Sequence, residues 1–285
     1  MLSFEMERPR TLAEAVRLLA EDGRAPMAKA GGTDLLVWMK KHAVRPGLVV
    51  DLSAIPELRG IAFDPREGLS VGACATLNEL AEHPQAGLFP ALLDAALSHS
   101  DHVIRNKATL VGNLCASVPS GDLIPPSCAH EGVLHLAGPG GSRQVPMRDF
   151  ITGPRRNVLA RGEIVTRATF PVPSGPCAGC YIKLGRRNAL DLAQVGVACL
   201  VVDAPGGLEF RLAYGAVAPV PVRAAKAEAL LRGVRNPDEA LLDRVAQEAA
   251  GAVNPITDVR ASREYRLSMV AELTKKAVRA CLERL

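Results

Sequence analysis

The chain has 285 residues, 48% hydrophobic and 22% charged, with 34 basic against 30 acidic residues and a net charge of +4. That length supports two or three compact units with real cores and excludes a disordered chain, and no block of like charge marks a nucleic-acid surface. The first ten residues, MLSFEMERPR, lack an apolar signal-peptide core, and the longest apolar run, VGVACLVV (Val195 to Val202), is too short to span a bilayer, so the expectation is a cytoplasmic protein without a membrane span.

From Thr11 to Ala20 the chain reads as an amphipathic helix, with Leu12, Ala15, Val16 and Leu19 on one face, TLAE as a capping box and Gly23 as the stop. A short strand, the double-glycine turn, a helix through Trp38 and Met39 and the strand LVVDL (Leu48 to Leu52) then compose a βαβ-like unit. The segments GIAF and LSVGA form a hairpin around DPREG (Asp64 to Gly68), TLNE (Thr76 to Glu79) is a second capping box, and PALLDAAL (Pro90 to Leu97) is a helix with Pro in its first turn. SDHVIRNKATLVGNLCASVPSGDLIPP reads as irregular and is too long for a mere connector. VLHLAG and SRQVP pair around Gly138, Gly140 and Gly141, and EIVTRATFPVP closes the unit.

SGPCAG (Ser174 to Gly179) reads as a linker. Beyond it lie three strands, CYIKLG, QVGVACLVVD and LEFRLAYGAV, and a last helix from about Ala261 to Leu285 whose stripe is Leu267, Val270, Leu273, Ala277 and Cys281. Asp258 is placed to cap that helix, with Arg260 and Arg266 pairing to nearby acids.

No G-x-G-x-x-G follows a strand, and no Walker A loop, H-E-x-x-H or G-x-S-x-G elbow occurs. Two glycine loops remain. In AGGTD (Ala30 to Asp34) consecutive glycine N–H groups precede a helix start, where the backbone can approach an anion closely. TLVGN (Thr109 to Asn113) offers a hydroxyl, a glycine and an amide. Each loop alone reads more readily as an ordinary turn, but facing each other the two would grip a pyrophosphate, which points to a dinucleotide cofactor.

These loops also carry a resemblance. With RPRTLAEAVRLLAEDG, DLSAIPELRGI, SVGACATLNEL, VIRNKATLVGNLCASVPSGDLIP, RDFITGP, EIVTRATFPVP, YIKLGRR, YGAVAPVPVRAAKAEALLRG and DVRASREYR in this order, the chain resembles, nearly end to end, the FAD-binding medium subunits of the molybdenum hydroxylases, the family of xanthine dehydrogenase, carbon monoxide dehydrogenase and aldehyde oxidoreductase. The resemblance implies an α+β protein: a two-lobed FAD-binding domain of the vanillyl-alcohol-oxidase type over 1–173 (lobes about 1–56 and 57–173), then a small C-terminal α+β domain over 177–285 with a three-stranded antiparallel sheet plus helices. It implies FAD contacts from Ala28, Lys29, Ala30, Gly31, Gly32, Thr33, Asp34 and Leu35 in the first loop and from Thr109, Leu110, Val111, Gly112 and Asn113 in the second. Asp122, Val165 and Lys183 match further residues near the cofactor in that family, Lys183 supplying positive charge beside a flavin that becomes anionic on reduction. No catalytic residue and no metal ligand is expected on this chain. The partners implied are a small subunit with two-iron, two-sulfur clusters and a large molybdopterin subunit, assembled as a dimer of heterotrimers, with NAD or another external electron acceptor.

The second loop departs from the family pattern A-T-x-G-G-N by placing Val111 at the first glycine, and a β-branched residue tolerates positive φ badly. With Gly112 and Asn113 intact, Val111 is expected to sit in ordinary β backbone and to be harmless. The seven cysteines point to reduced thiols rather than disulfides. Cys177 and Cys180 form a C-x-x-C, and Cys115 and Cys128 flank the Asp122 loop; an iron–sulfur cluster on these four is the alternative to thiols that are simply buried. It would accompany a flavin-poor structural or docking subunit. His99 and His102 bracket the family's approach to the isoalloxazine ring, so one of them is a candidate to line the flavin site, with a surface loop as the other reading. A stand-alone flavin reductase of the same fold is a third possibility, disfavoured by the C-terminal module.

Overall fold

The computed structural model describes residues 3–285. The chain begins with a small parallel sheet. Strand β1 (Glu5–Glu7) leads to helix α1 (Leu12–Ala20), β2 (Met27–Lys29), α2 (Leu35–Lys40) and β3 (Leu48–Asp51), and the strand order is β1-β3-β2. The expected βαβ unit is present. Strand β1 joins it without any apolar signal, because its three residues are all exposed and its cohesion comes from pairing with β3. Thr11 caps α1 by accepting the Glu14 N–H at 3.2 Å, but the Glu14 carboxylate turns to the N–H of Arg10 rather than closing the box on Thr11.

An antiparallel sheet follows, of order β4-β5-β10-β6-β7. The hairpin β4 (Ile61–Asp64) and β5 (Gly68–Gly72) precedes α3 (Leu77–Glu82), whose Thr76 and Glu79 complete a capping box, and α4 (Pro90–Ser98). The stretch read as irregular is instead three short helices, α5 (His102–Arg105), α6 (Leu110–Ala116) and α7 (Ile124–Ala129). One or two turns are too few to display a helical period, so their signal lies in the caps: Asp101 accepts the Ile104 N–H at 2.7 Å and Thr109 the Gly112 N–H at 2.9 Å. Strands β6 (Val133–Gly138) and β7 (Gly141–Pro146) form the second hairpin, and α8 (Met147–Phe150) and the small pair β8 (Ile151–Gly153) and β9 (Arg156–Asn157) cross to β10 (Ile164–Phe170) at the centre of the sheet.

Strand β11 (Cys177–Leu184) starts inside the stretch read as a linker. It pairs with β12 (Val195–Ala204), β12 with β13 (Gly207–Gly215), and a two-residue β14 (Val222–Arg223) extends the three expected strands. Helices α9 (Ala225–Leu231), α10 (Glu239–Ala252) and α11 (Arg263–Arg284) complete the chain. Strand β12 is buried on both faces: Val195, Val197, Cys199 and Val201 meet the C-terminal helices, while Ala198, Leu200 and Val202 join the core built from the preceding sheets. That double burial is why it reads as an unbroken apolar run rather than an alternating one.

Ser262, not Asp258, caps α11, accepting the Tyr265 N–H at 3.2 Å. Asp258 instead accepts from the N–H groups of Arg260 and Ala261 and from the Arg266 guanidinium at 2.8 Å, and it pairs with Arg260 at 3.6 Å. Arg266 is buried and also donates to the carbonyls of Gln194 and Ala216. It therefore ties the start of α11 to the loop between β11 and β12.

His130, after α7, is fully enclosed beside the Phe89 ring at 5.6 Å, and its Nε2 has no hydrogen-bond partner. Burial first, and Arg211 second, push its pKa down to about 3, so the native state holds it neutral. Unfolding releases it to the ordinary value near 6.5, and the unfolded chain then binds the extra proton in acid. Stability is therefore expected to fall as pH drops from about 6.5 toward about 3. Urea midpoints measured across that window should fall less steeply for His130→Met than for the natural chain.

Candidate functional site

The two glycine loops meet. Gly31 follows β2, and a Cβ there would collide with the backbone carbonyl of Lys107, two residues before the Thr109 cap; Gly32 has φ +78. Only glycine lets the loops touch and then turn this way. The N–H groups of Gly31, Gly32, Thr33 and Asp34, and that of Val111 in the first turn of α6, donate to no acceptor among the described residues. They border a cleft of about 280 Å³ that opens to solvent at its mouth. Val165, Ile164 and Leu159 add an apolar wall. Trp38 lines another side, with the Arg155 guanidinium 5.0 Å from its ring centroid.

Val111 is the second residue of α6, in α-helical rather than β backbone, and its side chain is buried in the main core. The departure from glycine is harmless to the backbone for that reason: a helical position has negative φ, and the β-branch points into packing.

Beside the cleft, and sharing Thr33, Asp34, His99 and Asn113 with it, is a polar pocket that holds Asp122 and Lys183. Asp122 is 4% exposed. Its Oδ2 accepts from Lys183 Nζ and lies against His99 Nδ1, both at 2.9 Å, while its Oδ1 accepts from the Tyr181 hydroxyl at 3.0 Å. Burial and the facing Asp122 raise the Tyr181 pKa, so its hydroxyl stays a donor. Asn113 Oδ1 accepts the Leu123 N–H at 3.1 Å and so holds the segment carrying Asp122 against α6.

Of the expected site residues, Ala28, Lys29, Ala30, Gly31, Gly32, Thr33, Asp34, Leu35, Thr109, Val111, Gly112, Asn113 and Val165 line the cleft. Asp122 and Lys183 line the adjoining pocket. The Leu110 side chain is in the core, and Leu110 does not line the cleft. Lys29 is occupied by Asp51 at 3.2 Å. His99 reaches the site, whereas His102 is exposed on α5. Tyr181 was not anticipated; its alternation with Lys183 on β11, two residues apart and therefore on one face, is the signal that could have found it.

Cys115, Cys128, Cys177 and Cys180 do not converge. Cys177 and Cys180, three apart on a strand, face opposite sides, and Cys180 Sγ lies 3.7 Å from Cys281 on α11. Cys115 lines the cleft and Cys128 is buried in α7; burial pushes each thiol up to about 12. Among the described residues no three His, Cys, Asp or Glu side chains gather as they would around a metal ion, and no helix is long and apolar enough to cross a membrane.

Residues 2–173 match the family model "FAD binding domain in molybdopterin dehydrogenase", and residues 180–281 match "CO dehydrogenase flavoprotein C-terminal domain". The chain belongs to the FAD-binding medium subunits of the molybdenum hydroxylases. It is 35% identical to a putative xanthine dehydrogenase FAD-binding subunit of Escherichia coli (95% of this chain, 93% of that one). It is 33% identical to the carbon monoxide dehydrogenase medium chain of Hydrogenophaga pseudoflava (99% and 98%). Among solved structures, a carbon monoxide dehydrogenase from that organism aligns with a TM-score of 0.93 at 31% identity over 99% of this chain and 98% of that one. The α+β architecture is that of this family, and its cofactor is FAD.

Asp34 sits at the junction of cleft and pocket without a side-chain cap bond. Burial raises its pKa, with His99 opposing. A carboxyl whose folded pKa is raised costs stability once pH exceeds its unfolded value, because the native state must then either hold a proton or bury a charge. In the flavin-free subunit, Asp34→Asn should therefore raise the urea midpoint at pH 7, and the gain should vanish below about pH 4.

Proposed function

We propose that this subunit holds FAD between the two glycine loops and passes electrons between iron–sulfur clusters of a small partner subunit and an external acceptor such as NAD. A large molybdopterin subunit would carry the substrate chemistry, in a cytoplasmic dimer of heterotrimers. The observation that carries this reading is the row of unsatisfied backbone N–H groups where the Gly31 turn touches the Lys107 carbonyl. Such donors suit a pyrophosphate, because they bring partial positive charge without a side chain between backbone and ligand. The relatives named as medium or FAD-binding subunits of xanthine and carbon monoxide dehydrogenases support it.

In this reading Gly31, Gly32, Thr33, Asp34 and Val111 present their N–H groups to the phosphates, and Thr109 and Asn113 hold the second loop in shape. Val165 and its neighbours shield one end of the cofactor from water. The Asp122 cluster holds Lys183 at the other end, where a fixed positive charge stabilises an anion. Bound FAD supplies the capacity to take electrons singly and to release them as a pair. The corresponding division is an FAD-binding domain over 1–173, with lobes about 1–56 and 57–173, and a C-terminal domain over 177–285.

Expressed alone, the subunit is expected to show flavin absorption bands near one FAD per chain and no iron. Gly31→Ala should weaken FAD binding by on the order of tenfold or more, since the added methyl separates the loops and removes at least one N–H contact. A folded chain that stays colourless with excess FAD, or one that carries iron in place of flavin, would overturn the proposal.

A further inference from the structure

A second recess adjoins the glycine loops. It measures about 390 Å³ and shares Lys29, Ala30, Gly31 and Thr109 with the cleft. Its other walls come from the segment after β1, the end of β3, the β5–α3 connection and the stretch between α5 and α6. The lining carries four cations, Arg8, Lys29, Arg59 and Lys107, against two acids, Asp51 and Glu79.

Both acids are already answered from within the protein. Asp51 accepts the Ser53 N–H at 3.1 Å with one oxygen and pairs with Lys29 at 3.2 Å through the other. Glu79 Oε2 accepts from the N–H of Thr76 at 2.6 Å and from its hydroxyl at 2.8 Å, closing the capping box of α3. The remaining cations have no such answer. Arg59 donates to the Ser53 carbonyl and Arg8 to the Ser53 hydroxyl, both neutral acceptors. Lys107 Nζ donates to no acceptor and forms no ion pair among the described residues, and neither arginine pairs with an acid there. Burial, ahead of the Asp51 charge, pushes the Cys74 thiol up to about 11, so it borders the recess as a neutral group.

Three cations without counter-charge around one recess repel one another, and an anion between them relieves that cost. Arg59 keeps Nη1 free, and Arg8 keeps Nε and Nη1 free. Guanidinium forks and an ammonium match the oxygens of a tetrahedral anion. No aromatic or large apolar side chain lines the recess, so it suits a compact anion rather than a ring system. We propose that this recess is a second anion site, distinct from the cofactor cleft, which takes a phosphate group between Arg8, Arg59 and Lys107. The phosphate is either free or carried by a small phosphorylated metabolite. The site stands on these residues whether or not FAD fills the cleft.

The test uses the full-length subunit loaded with FAD, so that the cleft is filled, and titrates inorganic phosphate at fixed ionic strength by calorimetry. Glycerol 3-phosphate is the second probe. One phosphate per chain is expected. Lys107→Gln and Arg59→Gln should each weaken it about tenfold, as for one lost charge-assisted hydrogen bond. Lys226→Gln removes an exposed charge on α9, outside the recess, and should leave phosphate affinity unchanged. Lys107 has no side-chain bond to lose, so its variant decides the matter even where Arg59→Gln disturbs the Ser53 contact. Tighter binding of glycerol 3-phosphate than of phosphate assigns the site to a phosphorylated metabolite, and equal or weaker binding assigns it to phosphate itself. Absence of saturable binding overturns the inference, as does an affinity that Lys107→Gln leaves unchanged. Strict competition between phosphate and FAD also overturns it, because it places the anion in the cofactor cleft. A natural chain that takes no FAD removes the proposed function alone, and the Lys107→Gln comparison on the flavin-free subunit then tests the recess.

Discussion

One buried carboxylate organises the region where the two parts of this chain meet. Asp122 is almost removed from water, and it accepts from His99 after α4 and from Tyr181 and Lys183 on β11. A charge buried at this depth is tolerated only when paired and hydrogen-bonded. The same requirement therefore draws the α6–α7 segment, the α4 turn and the first strand of the C-terminal sheet to a single point. The pocket that opens beside the cleft is a consequence of satisfying that one group.

The cleft itself depends on backbone rather than side chains. Gly31 packs where no Cβ fits, and the turn exposes donors that no described residue takes up. Unsatisfied N–H groups in a fold are costly unless water or a ligand answers them, so their grouping around one cleft suits a ligand rich in acceptors. Val111 shows the same logic from the other side. The loop's conformation is set by the Thr109 cap and the helix it starts, so the residue after Leu110 has no need to be glycine.

Much of this was legible in the residues. The amphipathic stripe of α1, the capping box at Thr76, both hairpins and the three C-terminal strands follow from period and turn chemistry, and the ordered motifs identified the family. What misled were features that local pattern cannot separate. Helices α5 to α7 are too short for their period to register. Glu14 and Asp258 each satisfied a neighbouring backbone group instead of the expected one. The C-x-x-C spacing suggested a chelate, but on a strand it sends the two thiols to opposite faces.

The sequence by itself determined where backbone freedom and helix starts fall, because glycine, proline and capping residues act on their immediate neighbours. It thereby determined the two loops and the family to which they belong. Only the tertiary structure decided which polar side chains share a site. His99, Asp122, Tyr181 and Lys183 are up to 84 residues apart in the chain (183 − 99), and nothing local to any of them says which others it will meet. Their meeting is set by the packing of the C-terminal sheet against the preceding core, and by the need of one buried carboxylate for donors that its own segment does not provide.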